Sequence, residues 1–184
     1  ATLRLIARRT WRFFETFAGP AENGLPPDNF QEDPAPVVAH RTSPTNMGLY
    51  LLSTLAARDF GWLGIGQTVD RLEATLTTMN RLERFHGHFY NWYDTHGLHP
   101  LAPKYVSSVD SGNLAGHLLA LANGCREMLQ GSVGAHLLAG VEDAVCLLRD
   151  SLADIAETRR THTVTRKQLS HAIDALVALL GTSP

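Results

Sequence analysis

The run His88-Phe89-Tyr90-Asn91-Trp92-Tyr93-Asp94, followed by Val109-Asp110-Ser111-Gly112-Asn113, concentrates aromatic rings, amides and carboxylates in segments that do not read as core. Aromatic faces stack on the apolar faces of pyranose rings, while Asp and Asn oxygens pair with sugar hydroxyls. A site for uncharged polyols needs that mixture, because charge attraction gives it little. Tyr90, Trp92 and Tyr93 are alternatives for a stacking platform, since adjacent rings cannot all face one side. Asn91, Asp94, Asp110 and Asn113 are candidate hydroxyl partners, and Arg41 either binds sugar oxygens or pairs with Glu32. Each has a structural alternative. Phe89 and Trp92 would plug a gap between helices, Asp110 would cap a helix, and Asp94 would hydrogen-bond its own turn.

Glycoside chemistry calls for two carboxyl groups flanking the bond, about 5–5.5 Å apart for retention or about 6.5–9.5 Å for inversion. Asp28, Glu32, Asp33, Asp94 and Asp110 are the candidates in the loaded segments, and none stands out as the acid. His86, His88, His96 and His99 cluster in sequence, with His40 and His117 in the other loaded regions. No His-Glu-x-x-His spacing accompanies them, so no metal is expected. His162 and His171 have no assigned task. A Gly-rich phosphate loop and a nucleophile elbow are both missing, which argues against a sugar-nucleotide site or a Ser-His-Asp hydrolase. No cofactor is expected.

These residues need a scaffold, and the periodicity is helical almost everywhere. Residues 1–18 place Leu5, Ile6, Phe13, Phe14 and Phe17 at helical spacing, ending at Gly19-Pro20. Residues 19–42 are rich in Pro, Gly, Asn and Asp and cannot be regular helix. Leu25 and Phe30 within them favour an ordered loop. Ser43 suits an N-cap and Pro44 a first helical position, with Met47, Leu51 and Leu55 inward. A helix over 66–84 turns Val69, Leu72, Leu76 and Met79 inward. After an irregular 85–109, Asp110 or Ser111 caps a helix with Leu114, Leu118, Leu121, Cys125 and Met128 on one face, closed by Gly131. Residues 134–158 (Leu138, Val141, Val145, Leu148, Leu152, Ile155) and a last helix opened by the Thr165–Gln168 capping box (Leu169, Ile173, Leu176, Leu180) complete an all-α chain of about six helices. No stretch alternates long enough to demand a sheet. Asn46, Ser111 and Asn113 fall in first turns, where free N–H groups and the helix dipole favour oxygen-rich ligands.

The 184 residues amount to one ordinary domain or a piece of a larger one. Net charge is −2 with Lys and Arg scattered, so a nucleic-acid partner is not expected. The apolar runs are too short and interrupted to cross a bilayer. Thr2 to Arg9 is amphipathic with three arginines, unlike a signal peptide. Cys125 and Cys146 read as small core residues of a reducing compartment. The abrupt ends suggest an excised segment.

Four blocks carry a resemblance. They are Leu25-Pro26-Pro27-Asp28-Asn29-Phe30-Gln31-Glu32, Ala39-His40-Arg41-Thr42-Ser43-Pro44-Thr45-Asn46-Met47-Gly48-Leu49-Tyr50, Gly87 to Thr95, and Tyr105 to Gly116. In this order they resemble the central region of bacterial cyclic β-1,2-glucan synthases. The resemblance covers roughly residues 5–130, and 131–184 read as generic amphipathic helix.

It implies a fragment of a large inner-membrane protein, soluble in itself and on the cytoplasmic face. The parent would be a glycosyltransferase and transglycosylase that extends β-1,2-glucan from UDP-glucose and controls chain length in a phosphorylase-like region. The segment would belong to its glucoamylase-like region, concerned with transglycosylation and ring closure. The implied fold is an (α/α)6 toroid, of which six helices make about half. The implied partners are β-1,2-linked glucan and the parent's other domains, while exposed apolar faces of half a toroid would favour self-association. The catalytic carboxylates would lie in a later part of the toroid, leaving this chain without a full catalytic set. The alternative is a structural or interaction module linking transferase and phosphorylase regions without binding glucan. A stand-alone glycosidase is the weaker third option.

Overall fold

The computed structural model describes residues 2–130, 135–153 and 164–181. Six α-helices dominate them: α1 (Thr2–Phe17), α2 (Pro44–Asp59), α3 (Ile65–Arg81), α4 (Ser108–Gln130), α5 (Ala135–Ala153) and α6 (Arg166–Gly181). The mostly helical class read from the periodicity is the class observed. Three antiparallel ribbons of two-residue strands lie in the connections: β1 (Phe30–Gln31) with β2 (Val37–Val38), β3 (Arg41–Thr42) with β6 (Tyr93–Asp94), and β4 (Arg84–Phe85) with β5 (His88–Phe89). Two residues are too few to leave an alternating pattern, which is why the sequence showed none.

The centre of the fold is α2 against α4, with α3 also packed on α2. Met47, Leu51, Leu55, Leu72, Met79, Leu114 and Leu121 close one core cluster, joined by Leu25 and Tyr93 from the long connections. Ser43 caps α2 by accepting from the Asn46 N–H at 3.2 Å, as its position before Pro44 predicts. Small residues let α2 and α4 approach closely. A Cβ on Gly48 would collide with the His117 imidazole, and one on Gly124 would lie 2.6 Å from Leu55 Cδ1. Contacts climb both helices together (Thr45 with Asp110, Gly48 with His117, Leu55 with Gly124), so the two run parallel. Their N-termini therefore open at the same end.

The inward face of α3 differs from expectation. Val69 and Leu76 are exposed, and Thr68, Thr75 and Thr78 are buried beside Leu72 and Met79. Each threonine hydroxyl donates to a backbone carbonyl: Thr68 to Gly64, Thr75 to Gly24, Thr78 to Asn23. The 19–42 connection is ordered against this face, with Leu25, Pro26 and Pro27 fully buried. In α1 the buried residue is Trp11, seated on Tyr50, and Ile6 is exposed.

α5 docks on α1 and pairs with α6. Val145, Leu152 and Ile173 are buried between the last two helices, whereas Leu138, Val141, Leu148 and Leu176 are exposed. Asp143, midway along α5, accepts from Arg4 at 2.7 Å and from the Trp62 indole at 2.8 Å. The Thr165–Gln168 box is present in both directions. Cys125 is half-buried on the core, but Cys146 is exposed, a correction to its reading as a core residue; both are free thiols. No helix among the described residues is long and apolar enough to cross a membrane. Ile155, His162 and the expected stop at Gly131 lie outside the described residues.

Gly140 meets the chain turn after α2 so closely that an added Cβ would run into the Gly61 carbonyl. That oxygen is backbone and cannot rotate away. Gly140→Ala should therefore destabilise the chain by about 1–3 kcal/mol through overpacking. Urea midpoints of variant and parent check this, and equal midpoints would show that α5 does not dock there.

Candidate functional site

The parallel α2–α4 pair places two first turns side by side, and the two chemically loaded connections fold over them. Asp28, from the first connection, is the anchor. Its Oδ2 accepts from Arg41 Nε (3.2 Å) and Nη2 (3.0 Å), and its Oδ1 accepts from Asn46 Nδ2 (3.1 Å) in the first turn of α2. Arg41 thus pairs with Asp28 and not with Glu32, which is exposed on the β1–β2 hairpin with Asp33. The Arg41 guanidinium also lies over the Trp92 ring, 4.8 Å from its centroid, a favourable cation–π arrangement. Pairing of Arg41 with Asp94 across β3–β6 sets this register.

From Trp92 the network continues inward. In the amide orientation that satisfies both ends, buried Asn91 accepts from the Trp92 indole N–H and the Tyr105 hydroxyl at 2.7 Å each. The same amide donates to Asp110 Oδ2 at 2.9 Å. The other Asp110 oxygen accepts from Thr45 Oγ1 at 2.6 Å, and Asn113 Nδ2 donates to that same hydroxyl at 3.1 Å. One continuous polar cluster therefore links both connections and both helix N-termini.

Burial alone would raise the Asp110 pKa, but hydrogen bonds from Ser107, Thr45 and Ser43 outweigh it and hold the carboxyl below its usual range. Asp110 is thereby an ionised acceptor at neutral pH and unsuited to donate a proton.

The sequence-derived candidates separate into those that line this cluster and those that hold it. Trp92, Arg41, Asn91, Asp110 and Asn113 are brought together. Tyr93 is not available as a stacking platform, a correction to the expectation. Its ring is 0% exposed, and its hydroxyl donates to the Glu83 carbonyl and accepts from the Tyr90 N–H, both at 2.7 Å. Burial pushes the Tyr93 phenol up to about 12. Tyr90 is half-buried against Phe85 and Tyr93, with Lys104 Nζ 5.5 Å from its ring centroid. Asp94 ties its own turn by accepting from the His96 and Gly97 N–H groups through Oδ1. Asp110 is not the N-cap of α4. Ser107 has that role, its Oγ accepting from the Asp110 N–H at 3.1 Å, so the helix starts earlier than expected.

Two features escaped the sequence reading. Thr45 bridges Asp110 and Asn113, a role that only the parallel helices create. Glu22 is 5% exposed and gathers His40 and His96 from distant positions. His86, His88 and His99, grouped with His96 by sequence, do not join it among the described residues.

Compared with known proteins, no family model matches the chain. Over 174 residues, 93% of its length, the chain is 50% identical to the cyclic beta-(1,2)-glucan synthase NdvB of Rhizobium meliloti (strain 1021). The resemblance carried by the four sequence blocks is thus a likeness along nearly the whole chain, reaching beyond residue 130. The chain spans 6% of that relative's length.

Asp110→Asn should cost about 1–3 kcal/mol near neutral pH, because it leaves a donor of Thr45 or Asn91 unmatched. A depressed carboxyl pKa contributes stability above its unfolded value of about 3.9 and loses it as pH falls through the lower folded value. The gap between parent and variant should accordingly be constant at pH 6–7 and close progressively below about pH 4. Urea melts from pH 7 to 2.5 measure it. A gap independent of pH would remove ionised Asp110 from the cluster.

Proposed function

We propose that the chain is a segment of a cyclic β-1,2-glucan synthase and that its polar cluster contributes contacts to β-1,2-linked glucan. The likeness to the named synthase supports the sugar class. The observation that carries the contact role is the convergence of Arg41, Trp92, Asn91, Asp110 and Asn113 above two helix N-termini. Arg41 keeps 50% of its side chain exposed and Asn113 is exposed at the mouth. An arginine, an indole and an amide over a carboxylate layer match the acceptor-rich and apolar faces of a glucose unit. Tyr90 and Asp94 flank this surface and shape it.

In this reading the helices form part of the toroid of a glucoamylase-like region, on the cytoplasmic face of the bacterial inner membrane. Transglycosylation and ring closure belong to the larger protein. This chain supplies binding contacts through Arg41, Trp92 and Asn113, with the ionised Asp110 holding Asn91 and Thr45 in place beneath them.

A second reading, a module that joins other regions of the synthase, is favoured by apolar exposure on several helices. Val109, Leu119 and Leu129 of α4 are exposed, as are Val69 and Leu76 of α3. Exposed apolar side chains mark an association surface where they adjoin one another.

A ¹H–¹⁵N titration of the chain with linear β-1,2-glucooligosaccharides, and with β-1,4 oligomers as comparison, tests the proposal. Saturable shifts of the Trp92 indole and Asn113 amide signals are expected with the β-1,2 series alone. Arg41→Ala with Asn113→Ala should weaken binding about tenfold, roughly 1.4 kcal/mol, without changing far-UV circular dichroism. A flat titration of a folded sample, together with concentration-dependent oligomers in light scattering, would favour the module instead.

A further inference from the structure

Glu22 sits in the short helical turn 20–22, His40 just before β3, and His96 in the turn after β6. The fold brings all three to one point. His40 Nδ1 lies 2.7 Å from Glu22 Oε1, and His96 Nε2 lies 3.0 Å from the same oxygen. The two imidazole centroids are 4.3 Å apart, and the three donor atoms all fall within 4.8 Å of one another. Glu22 is held from behind: its Oε2 accepts from the Thr95 hydroxyl, and Thr95 is fully buried. Asn23 Nδ2 donates to the Thr95 and His96 carbonyls at 2.7 and 3.1 Å, fixing the His96 turn on the Glu22 turn.

We propose that Glu22, His40 and His96 form a binding site for a divalent transition-metal ion of the zinc class. Two imidazoles and one carboxylate are a donor set that zinc takes with an additional water or substrate position. Imidazole donors disfavour magnesium and calcium, which prefer all-oxygen surroundings. The Thr95 hydroxyl orients the carboxylate as a supporting hydrogen bond does in metal centres.

Both nitrogens lie within hydrogen-bond distance of a single oxygen, and both imidazoles are half-exposed, which leaves room for open coordination positions facing solvent. Tetrahedral ligands about 2.1 Å from an ion are about 3.4 Å apart, so seating zinc opens the two observed separations by about half an ångström. Rotation of the exposed imidazoles supplies that movement. The ion would clamp three segments that hydrogen bonds already join. Two of them lead directly into Arg41 and Asp94 of the β3–β6 ribbon.

Isothermal titration of the metal-stripped chain with zinc chloride, and separately with magnesium chloride, is the first test. One zinc per chain and no magnesium heat are expected. Either His40→Ala or His96→Ala should abolish the saturable event, while His99→Ala should leave it unchanged. Long-range ¹H–¹⁵N spectra of the unaltered chain should show zinc shifting His40 Nδ1 and His96 Nε2, a readout that survives if a variant misfolds. No stoichiometric zinc uptake overturns the proposal. So does uptake whose shifts fall on His86, His88 or His99 instead.

Discussion

The close parallel contact of α2 with α4 is the constraint on which the rest depends. Gly48 and Gly124 remove the side chains that would hold the helices apart, and His117 and Leu55 occupy the space they leave. Antiparallel neighbours would put the two N-termini at opposite ends. Because these helices are parallel, Ser43 and Ser107 cap first turns that stand side by side. The Thr45–Asp110 hydrogen bond then spans the gap between them. Two helix ends with aligned dipoles favour the ionised form of the Asp110 carboxylate at the same place.

Buried and half-buried carboxylates tie distant segments together, two of them in the long connections and one on α5. Asp28 gathers Arg41 and Asn46, Glu22 gathers Thr95 and two histidines, and Asp143 gathers Arg4 and Trp62. A buried carboxylate without donors is costly, and one with several donors fixes the geometry of every segment that supplies them. Loops with little regular structure obtain their order in this way. Tyr93 does the same work with a phenol, tying residues 83 and 90 from a position that the core encloses.

The helices and the caps of α2 and α6 were legible in the sequence because they are local, whereas the cap of α4 was placed at Asp110 or Ser111 and is Ser107. Ser43-Pro44 and Thr165–Gln168 announce helix starts through neighbours three residues away, and the apolar spacing of α2 and α4 marks their inward faces. Residues that act through distant partners were harder to place. Thr68, Thr75 and Thr78 look like surface positions until the carbonyls of Gly64, Gly24 and Asn23 are known to receive their hydroxyls. Tyr93 looks like a stacking ring until β6 is paired with β3 and turned inward. The polar cluster was legible in part of its membership, Thr45 being missed, and not in its roles. Asp110, Asn91 and Arg41 were singled out by type, but their order in the network follows from the helix pairing.

That order also divides the labour within the cluster. Asp28 accepts from Arg41, Asn29 and Asn46, while Asp110 has acceptor sites committed to Asn91 and Thr45. These carboxylates spend their lone pairs on the protein and act mainly as supports. The groups left at the mouth are the guanidinium of Arg41, the indole of Trp92 lying beneath it, and the amide of Asn113. A hydroxyl-rich, uncharged ligand would meet donors and an aromatic edge first, with the carboxylates one layer below. Such a layer would orient hydroxyl groups; glycoside cleavage asks in addition for a proton donor across the bond from a second carboxylate, a role that the ionised Asp110 does not fit.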